Sequence, residues 1–138
     1  MVSGINHITL AVRELERSFS FYADVLGLRP VAIWYKGAYL EAGADWLCLT
    51  LDSSTRSGSL PEYTHVAFTL SEEEFSAAVE RIRAAGAECW QENHSEGESF
   101  YFLDPDGHKL ELHVGTLASR LESLEKKPPR EIRIFPRS

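Results

Sequence analysis

The two halves of the chain repeat one short pattern, and a histidine stands at the same point of each copy. Residues 4–12 read Gly-Ile-Asn-His-Ile-Thr-Leu-Ala-Val and residues 63–70 read Tyr-Thr-His-Val-Ala-Phe-Thr-Leu, so His7 and His65 lie 58 residues apart. Each histidine stands in an apolar run typical of a β-strand, in which successive side chains point to opposite faces. The repeat therefore predicts two similar modules that each begin with a histidine-bearing strand.

Each half continues with an amphipathic helix and then three apolar strands. The spacing of apolar residues indicates helices over about 14–26 and 72–85, with Gly27 and Gly86 placed to end them. Ser71 followed by Glu74 predicts a capping box at the start of the second helix. The remaining strands are predicted at 29–35, 37–42, 46–51, 88–92, 99–103 and 109–114. This order is β-α-β-β-β written twice, which predicts an α+β fold of two tandem βαβββ modules.

The segments between and after the modules differ in composition. We expect one domain over residues 1–125, made of a first module at 1–52, a linker rich in Ser and Gly at 53–62, and a second module at 63–116. A C-terminal helix and tail follow at 117–138. The tail beyond Pro128-Pro129 is either a final edge segment or loose.

Composition limits the class of protein. With 138 residues, 43% of them hydrophobic, the chain suits one globular domain or two small modules that share one sheet system. The net charge is −7 and no basic patch is interleaved with aromatic residues, so no nucleic-acid partner is expected. The apolar runs have strand length and the N-terminus lacks a signal-peptide pattern, so we expect a cytoplasmic protein with no membrane contact. Cys48 and Cys89 are expected to be reduced thiols.

His7, His65 and Glu111 are the candidate metal ligands. An isolated strand histidine is usually structural, but matched histidines in two modules together with a glutamate on the last strand rarely arise by chance. Two imidazoles and one carboxylate suit Mn²⁺, Fe²⁺, Zn²⁺ or Ni²⁺ and leave coordination positions open for a substrate or water. The corresponding strand of the first half, Trp46-Leu47-Cys48-Leu49, offers no carboxylate. Three other histidines have weaker claims, namely His94, His108 and His113.

Several longer motifs resemble one known family. They are Asn6–Val12, Gly37–Leu40, Trp46–Leu49, Tyr63–His65, Ser95–His108 and Leu110–Gly115. Together they resemble the vicinal oxygen chelate superfamily, which includes glyoxalase I, extradiol dioxygenases and bleomycin-binding proteins. Within it they are most similar to the fosfomycin resistance proteins of the glutathione transferase branch. The resemblance covers residues 1 to about 125.

This resemblance implies a fold, an assembly and a reaction. It implies a homodimer in which modules of two chains pair into cup-shaped sheets, with His7 from one subunit and His65 and Glu111 from the other on one metal. The metal is Mn²⁺, with Zn²⁺, Ni²⁺ or Mg²⁺ as alternatives, and the substrates are fosfomycin and glutathione. The expected reaction is opening of the fosfomycin epoxide by the glutathione thiolate at the carbon that bears phosphorus.

The resemblance also assigns roles to individual residues. It implies that Thr9 lies beside the epoxide oxygen and that Tyr39 assists thiol ionisation, with Trp34 and Lys36 completing the thiol pocket. The implied substrate-binding residues are Trp46, Cys48, Tyr63, Ser95, Ser99, Tyr101 and Arg120. The loop implied to bind K⁺ contains Asn93, Ser95, Glu96, Gly97 and Ser99.

The chain departs from the family at a few positions, and these leave other functions open. Gln91 stands where the glutathione-using enzymes carry a lysine, and Val66 where a tyrosine is usual. A hydrolytic branch activates water with a carboxylate near the middle of the first module, and Glu41 lies close to that point. The alternatives are therefore an epoxide hydrolase, a bacillithiol transferase, a glyoxalase-like enzyme or a drug-sequestering binding protein.

Overall fold

The computed structural model describes residues 1–137, over which it has eight β-strands and three α-helices. The first module consists of β1 (Ile8–Val12), α1 (Leu15–Ser20), β2 (Arg29–Trp34), β3 (Gly37–Ala42) and β4 (Asp45–Leu51). The second consists of β5 (Val66–Thr69), α2 (Glu72–Ala84), β6 (Cys89–Gln91), β7 (Glu98–Leu103) and β8 (Lys109–Val114). The last helix is α3 (Leu117–Lys126). The tandem βαβββ fold is thus confirmed.

The two sheets have the same strand order. The first is β1-β4-β3-β2 and the second is β5-β8-β7-β6. In each, the first strand of the module pairs in parallel with the last, and the remaining pairs are antiparallel. The histidine at the start of each module therefore lies next to the strand that ends the module.

One face of each sheet packs into the core and the opposite face carries the candidate site. In β4, Leu47 and Leu49 are buried, and in β8 Leu110 and Leu112 are buried. Strand alternation turns the residues between them to the other face, where β8 carries Glu111. The sequence pattern of each strand thus separates core side chains from site side chains.

A turn at residues 104–108, here called the clamp turn, joins the second module to the first. Tyr22 Oη donates a hydrogen bond to Asp104 Oδ2 at 2.7 Å, and both side chains are buried. His108 Nε2 lies 2.7 Å from the carbonyl oxygen of Ala11 and donates to it. The clamp turn leads directly into β8, so these contacts position the strand that carries Glu111.

The first predicted helix is not α-helical throughout. It continues beyond Ser20 as a π-helical turn over Phe21–Val25, in which the Leu26 amide donates to the carbonyl oxygen of Phe21 at 3.1 Å. The apolar period does not distinguish this wider turn from an α-helix. Gly27 follows with φ of 79°, as predicted for a residue that ends the helix.

The predicted capping box at Ser71 is wrong. Ser71 is the N-cap of α2 and has extended backbone angles, but its side chain makes no cap hydrogen bond. The first turn of the helix is exposed, so water can satisfy its amide donors. A capping box occurs instead at α3, where Thr116 and Ser119 bond reciprocally.

The C-terminal tail does not form an edge strand. From Pro128 to residue 137 the chain is in neither helix nor strand. Within residues 1–137, none of the helices is long and apolar enough to cross a bilayer.

Candidate metal and substrate site

His65 and Glu111 meet at the edge between β5 and β8. The two strands run parallel with Ala67 opposite Glu111, and His65 lies just before β5 on the face of Ala67. His65 Nε2 is 3.0 Å from Glu111 Oε1. His65 Nδ1 is 2.9 Å from the carbonyl oxygen of Tyr63, which only accepts, so Nδ1 carries a proton. In the neutral imidazole, the Nε2 lone pair therefore faces an oxygen of a buried carboxylate.

This contact between a nitrogen lone pair and a carboxylate oxygen needs a positive charge. A proton on Nε2 or a metal cation satisfies both atoms. An imidazole whose Nδ1–H donates to a backbone carbonyl has the orientation and tautomer typical of a metal ligand. His65 and Glu111 thus fit the donor set for a divalent ion.

In the first module, the Nδ1 atom of His7 also lies next to an acceptor oxygen. Its Nδ1 lies 2.7 Å from Asn6 Oδ1, which leaves Nε2 as the ligand atom. The ring stacks on Trp46 with 4.2 Å between ring centroids. Within residues 1–137, no group of three or more His, Cys, Asp or Glu side chains is placed to hold a metal. One copy of the chain therefore does not unite His7 with His65 and Glu111, and their joint role stays a prediction.

Three residues predicted for the site stand in one row across the first sheet. Thr9 of β1 is opposite Cys48 of β4, and Cys48 is opposite Tyr39 of β3. Paired residues in neighbouring strands point to the same face. The row therefore brings together the predicted hydroxyl, a wall residue and the predicted thiol-assisting tyrosine.

The two aromatic residues predicted for the thiol pocket, Trp34 and Tyr39, form a continuous edge-to-face series with Trp46, which is predicted to bind substrate. Ring centroids lie 4.8 Å apart for Trp34 and Tyr39 and 5.0 Å apart for Tyr39 and Trp46. Lys36 lies in the turn between β2 and β3 and is exposed. Tyr39 itself is 37% exposed, so its hydroxyl-bearing ring is accessible to a second molecule.

Aromatic rings also surround His65 in the second module. The ring centroids of Tyr63, Trp90 and Tyr101 lie 5.0, 5.3 and 6.1 Å from that of His65. Sequence reasoning named Tyr63 and Tyr101 but missed Trp90 as a site residue, because an aromatic residue in a short strand carries no specific signal. Gln91 Nε2 donates to Tyr63 Oη at 2.8 Å, so the residue that departs from the family pattern contacts a residue predicted to bind substrate.

The predicted K⁺ loop is ordered by its own side chains. Asn93 Oδ1 accepts hydrogen bonds from the amide and the hydroxyl of Ser95, and Asn93 Nδ2 donates to the carbonyl oxygen of Gly97. Glu96 Oε2 is buried and, among the described residues, has no hydrogen-bond partner. The Arg120 guanidinium lies beside this oxygen, with Nε 3.5 Å away, so Oε2 has an ion-pair partner but an unfilled hydrogen-bonding capacity.

Ser99, His113 and Arg120 connect the loop to the candidate metal ligand. Ser99 Oγ is 2.6 Å from Glu111 Oε2 and 2.6 Å from His113 Nδ1. Arg120 Nη2 is 3.4 Å from His113 Nε2, and Arg120 Nε is 3.5 Å from Glu96 Oε2. Sequence reasoning gave His113 a weak claim. The available signal was its position two residues after Glu111, on the same face of the strand.

Comparison with known proteins identifies the family. Residues 4–112 match the Glyoxalase/Bleomycin resistance protein/Dioxygenase superfamily. The chain belongs to this superfamily. It is 50% identical over 130 residues to glutathione transferase FosA of Serratia marcescens, covering 93% of this chain and 92% of that one. It is 41% identical over 134 residues to metallothiol transferase FosB of Shouchella clausii, covering 94% and 92%.

Solved structures agree with this assignment. The fosfomycin resistance protein FosX from Listeria monocytogenes, complexed with Mn(II) and sulfate, matches with a TM-score of 0.76 and 35% identity. The match covers 89% of this chain and 98% of that one. The resemblance to the fosfomycin resistance proteins is therefore confirmed at the level of sequence and fold.

Proposed function

We propose that this protein inactivates fosfomycin by adding glutathione to its epoxide, with Mn²⁺ and K⁺ as cofactors. The observation that carries the proposal is the contact between His65 Nε2 and Glu111 Oε1, which lie 3.0 Å apart and can share a bound cation. The identity to a protein named glutathione transferase FosA supports the choice of thiol and substrate. The Mn(II) complex of the similar FosX supports the choice of metal.

His7, His65 and Glu111 would hold the divalent ion. When bound, the ion supplies a Lewis acid for the epoxide oxygen, which gains negative charge as the ring opens. In that step a carbon–sulfur bond forms at the carbon bearing phosphorus, the carbon–oxygen bond breaks, and the oxygen becomes a hydroxyl by taking up a proton. Thr9 donates a hydrogen bond to the same oxygen and orients it.

The remaining side chains bind the phosphonate of fosfomycin and the thiol of glutathione. Arg120 presents a planar fork of N–H donors that suits a tetrahedral phosphonate, and Tyr63 and Tyr101 add hydroxyl groups. A free thiol with a pKa of about 8.5 is only a few per cent ionised near neutrality, so a hydrogen bond from the Tyr39 hydroxyl to the thiolate raises the reactive fraction. Trp34 and Lys36 form the walls of the thiol pocket.

We propose K⁺ for the loop that contains Asn93, Ser95, Glu96, Gly97 and Ser99. Carbonyl, hydroxyl and carboxylate oxygens are hard ligands that suit an alkali cation, and Oε2 of Glu96 is a buried carboxylate oxygen that makes an ion pair with Arg120 but no hydrogen bond. A monovalent cation beside Arg120 would add positive charge close to the phosphonate. Glutathione is a cytosolic thiol and Cys48 and Cys89 are free, so we propose a cytoplasmic location.

We further propose that two copies of the chain form the site together. His7 precedes the first strand of the first sheet and the His65–Glu111 pair belongs to the second module, and an open groove of about 860 Å³ is lined by His7 and by residues of β5 such as Ala67. Apolar side chains such as Ile5 and Val31 are exposed in the single chain. A second copy would cover such surfaces and bring its own His7 to the pair.

Complementation tests the shared site. His7→Ala and Glu111→Gln should each abolish Mn²⁺-dependent turnover as pure dimers while the protein stays folded. A mixed dimer, co-expressed with two tags and purified through both, contains one intact site of two and should recover about half of the activity. No recovery in the mixed dimer would mean that the three ligands come from one chain.

The reaction is tested by phosphorus NMR of fosfomycin with Mn²⁺ and K⁺. Glutathione, bacillithiol, cysteine and water are compared as nucleophiles, and the glutathione adduct is the expected product. A diol with no thiol adduct would identify a hydrolase instead. The structure favours the thiol because both Nε and Nη2 of Arg29 bond to Glu41, so the carboxylate nearest the hydrolase position is already paired. No product from metal-loaded protein would leave only a binding role.

A further inference from the structure

We propose that His113 is a positioning residue that links the phosphonate-binding Arg120 to the metal ligand Glu111. The link is a chain of hydrogen bonds that runs in one direction through the Nδ1–H tautomer of His113 and the hydroxyl of Ser99. The inference rests on the proposed function, because it describes how the two binding groups of that site are held relative to each other.

Three contacts make up the chain. Arg120 Nη2 is 3.4 Å from His113 Nε2, His113 Nδ1 is 2.6 Å from Ser99 Oγ, and Ser99 Oγ is 2.6 Å from Glu111 Oε2. The second oxygen of Glu111 faces His65. His113 Nδ1 also lies 3.4 Å from Glu111 Oε2 and His113 Nε2 lies 3.9 Å from Glu96 Oε2, and both distances are longer than those to Ser99 and Arg120.

The two ends determine where the protons lie. A guanidinium only donates and an ionised carboxylate only accepts. Ser99 must therefore give its single proton to Glu111 and accept from His113, which places the histidine proton on Nδ1 and leaves Nε2 to accept from Arg120. In the opposite tautomer, Ser99 would have one proton for two acceptors and His113 Nε2–H would point at another donor.

The surrounding backbone holds the ring of His113 in place. A Cβ atom at position 115 would approach His113 Nε2 to 2.7 Å, and one at position 97 would approach its Cε1 to 3.2 Å. Gly97 and Gly115 thus leave a slot that the imidazole fills. The side chain is 14% exposed, so water has little access to replace either of its hydrogen bonds.

Arg120 depends on these contacts more than a strand residue would. It lies on α3, outside both sheets, and its side chain is 44% exposed. His113 Nε2 and Glu96 Oε2 engage Nη2 and Nε, which leaves the other N–H groups for a substrate oxyanion. At the other end, the Ser99 hydroxyl fixes Glu111 Oε2 so that Oε1 is directed at the metal position.

Two isosteric variants each break one of the two hydrogen bonds that His113 makes, one to Arg120 and one to Ser99. In His113→Asn the amide nitrogen replaces Nδ1, so the bond to Ser99 is kept and the acceptor for Arg120 is lost. In His113→Gln the amide oxygen replaces Nε2, so the acceptor is kept and the bond to Ser99 is lost. His94→Asn is the matched control, because His94 is exposed in the neighbouring loop.

The measurements are Mn²⁺ affinity by electron paramagnetic resonance, and KM for fosfomycin and kcat in the glutathione reaction. His113→Asn should raise the fosfomycin KM about fivefold with nearly unchanged Mn²⁺ affinity, since one hydrogen bond to the arginine is lost. His113→Gln should weaken Mn²⁺ binding about tenfold or more, as expected for loss of a group that orients a ligand. Equal effects of the two variants on both quantities would overturn the proposal.

The tautomer is measured without any turnover. Two-bond proton–nitrogen correlation spectra of the protein with diamagnetic Mg²⁺, assigned with His113→Asn, should show the proton of His113 on Nδ1. A proton on Nε2 would overturn the proposal even in an active enzyme. The Nδ1–H tautomer, together with Mn²⁺ affinity that falls in His113→Gln but not in His113→Asn, would support the proposal even if no glutathione adduct formed. Failure of the proposed reaction is thereby distinguished from failure of this inference.

Discussion

Removing the hydroxyl of Tyr22 tests whether the clamp turn holds the two modules together. Tyr22 is fully buried in the first module and its Oη donates to Asp104 Oδ2 at 2.7 Å in the second. A hydrogen bond to a charged group contributes about 1.5–3 kcal/mol, and Tyr22→Phe leaves a buried carboxylate oxygen without its donor. We expect the free energy of unfolding at pH 7 to fall by about 2 kcal/mol and the melting temperature by roughly 6–10 °C.

The pH dependence of that loss identifies its cause. Burial, and then the negative charge of Asp104, raises the pKa of Tyr22 well above 10.0. A raised pKa means that folding favours the protonated phenol, so this stability is present below pH 10 and is lost as the pH rises towards the folded-state pKa. Phenylalanine has no proton to lose. The difference in free energy of unfolding between the parent and Tyr22→Phe should therefore narrow by about 1.4 kcal/mol for each pH unit above 10.

The assay is urea unfolding followed by tryptophan fluorescence, at one protein concentration because association would add to stability. The two proteins are compared at pH 7, 10 and 11. Tyr35→Phe is the control, because Tyr35 is 83% exposed and its loss should change stability little at any of these values. Equal stability of Tyr22→Phe and the parent at pH 7 would refute the reasoning. So would a difference in free energy of unfolding that is the same at pH 10 and pH 11.

Three further substitutions test the site. Gln91→Lys should raise kcat/KM at limiting fosfomycin about fivefold, because a cation would replace the amide that now contacts Tyr63. Gln91→Met is the uncharged control. A lysine variant with unchanged kcat/KM would contradict this expectation. Glu96→Gln should remove the activation by K⁺ while Mn²⁺ binding is retained, and an unaltered K⁺ response in steady-state kinetics would remove Glu96 from the loop site. Glu41→Gln breaks an exposed ion pair with Arg29 worth less than about 1 kcal/mol, so the thiol reaction should persist; loss of all product would indicate that Glu41 activates water.

The fold was predictable because local patterns and the repeat agree. Alternation in β4 and β8 separates buried leucines from Cys48 and Glu111, and glycine marks the end of the first helix. The repeated histidine indicates that the two modules share one topology. Features with no periodic signature were not predictable. The π-helical turn at Phe21–Val25 has the same apolar spacing as an α-helix, and it contains the buried Tyr22.

The contact between two of the candidate metal ligands was predictable from the sequence, but the hydrogen-bond network around them was not. Two of the metal-capable side chains, His65 and Glu111, do lie side by side, since the register of β5 and β8 follows from the repeat. The contacts of His113 with Ser99 and Arg120 join a strand, a loop end and a helix that are separated in sequence. No spacing rule relates such positions, because they depend on where α3 places Arg120 relative to His113.

The register of the two sheets accounts for the single carboxylate in the proposed ligand set. Thr9, Cys48 and Tyr39 form a row in the first module, and Ala67, Glu111 and Tyr101 form the matching row in the second. Cys48 therefore stands at the position equivalent to Glu111.

A carboxylate at both equivalent positions would offer the metal four protein ligands and leave fewer positions for a substrate. With cysteine there instead, the first sheet has no carboxylate in that row, and the two small side chains Thr9 and Cys48 leave space beside Tyr39. Under the proposed function, the first sheet would thus supply His7 and an open wall for two substrates, and the second sheet would supply His65 and Glu111. Cys48→Asp should consequently tighten Mn²⁺ binding and reduce fosfomycin turnover, and a variant with tighter metal binding and full turnover would show that the open position is not what the substrate needs.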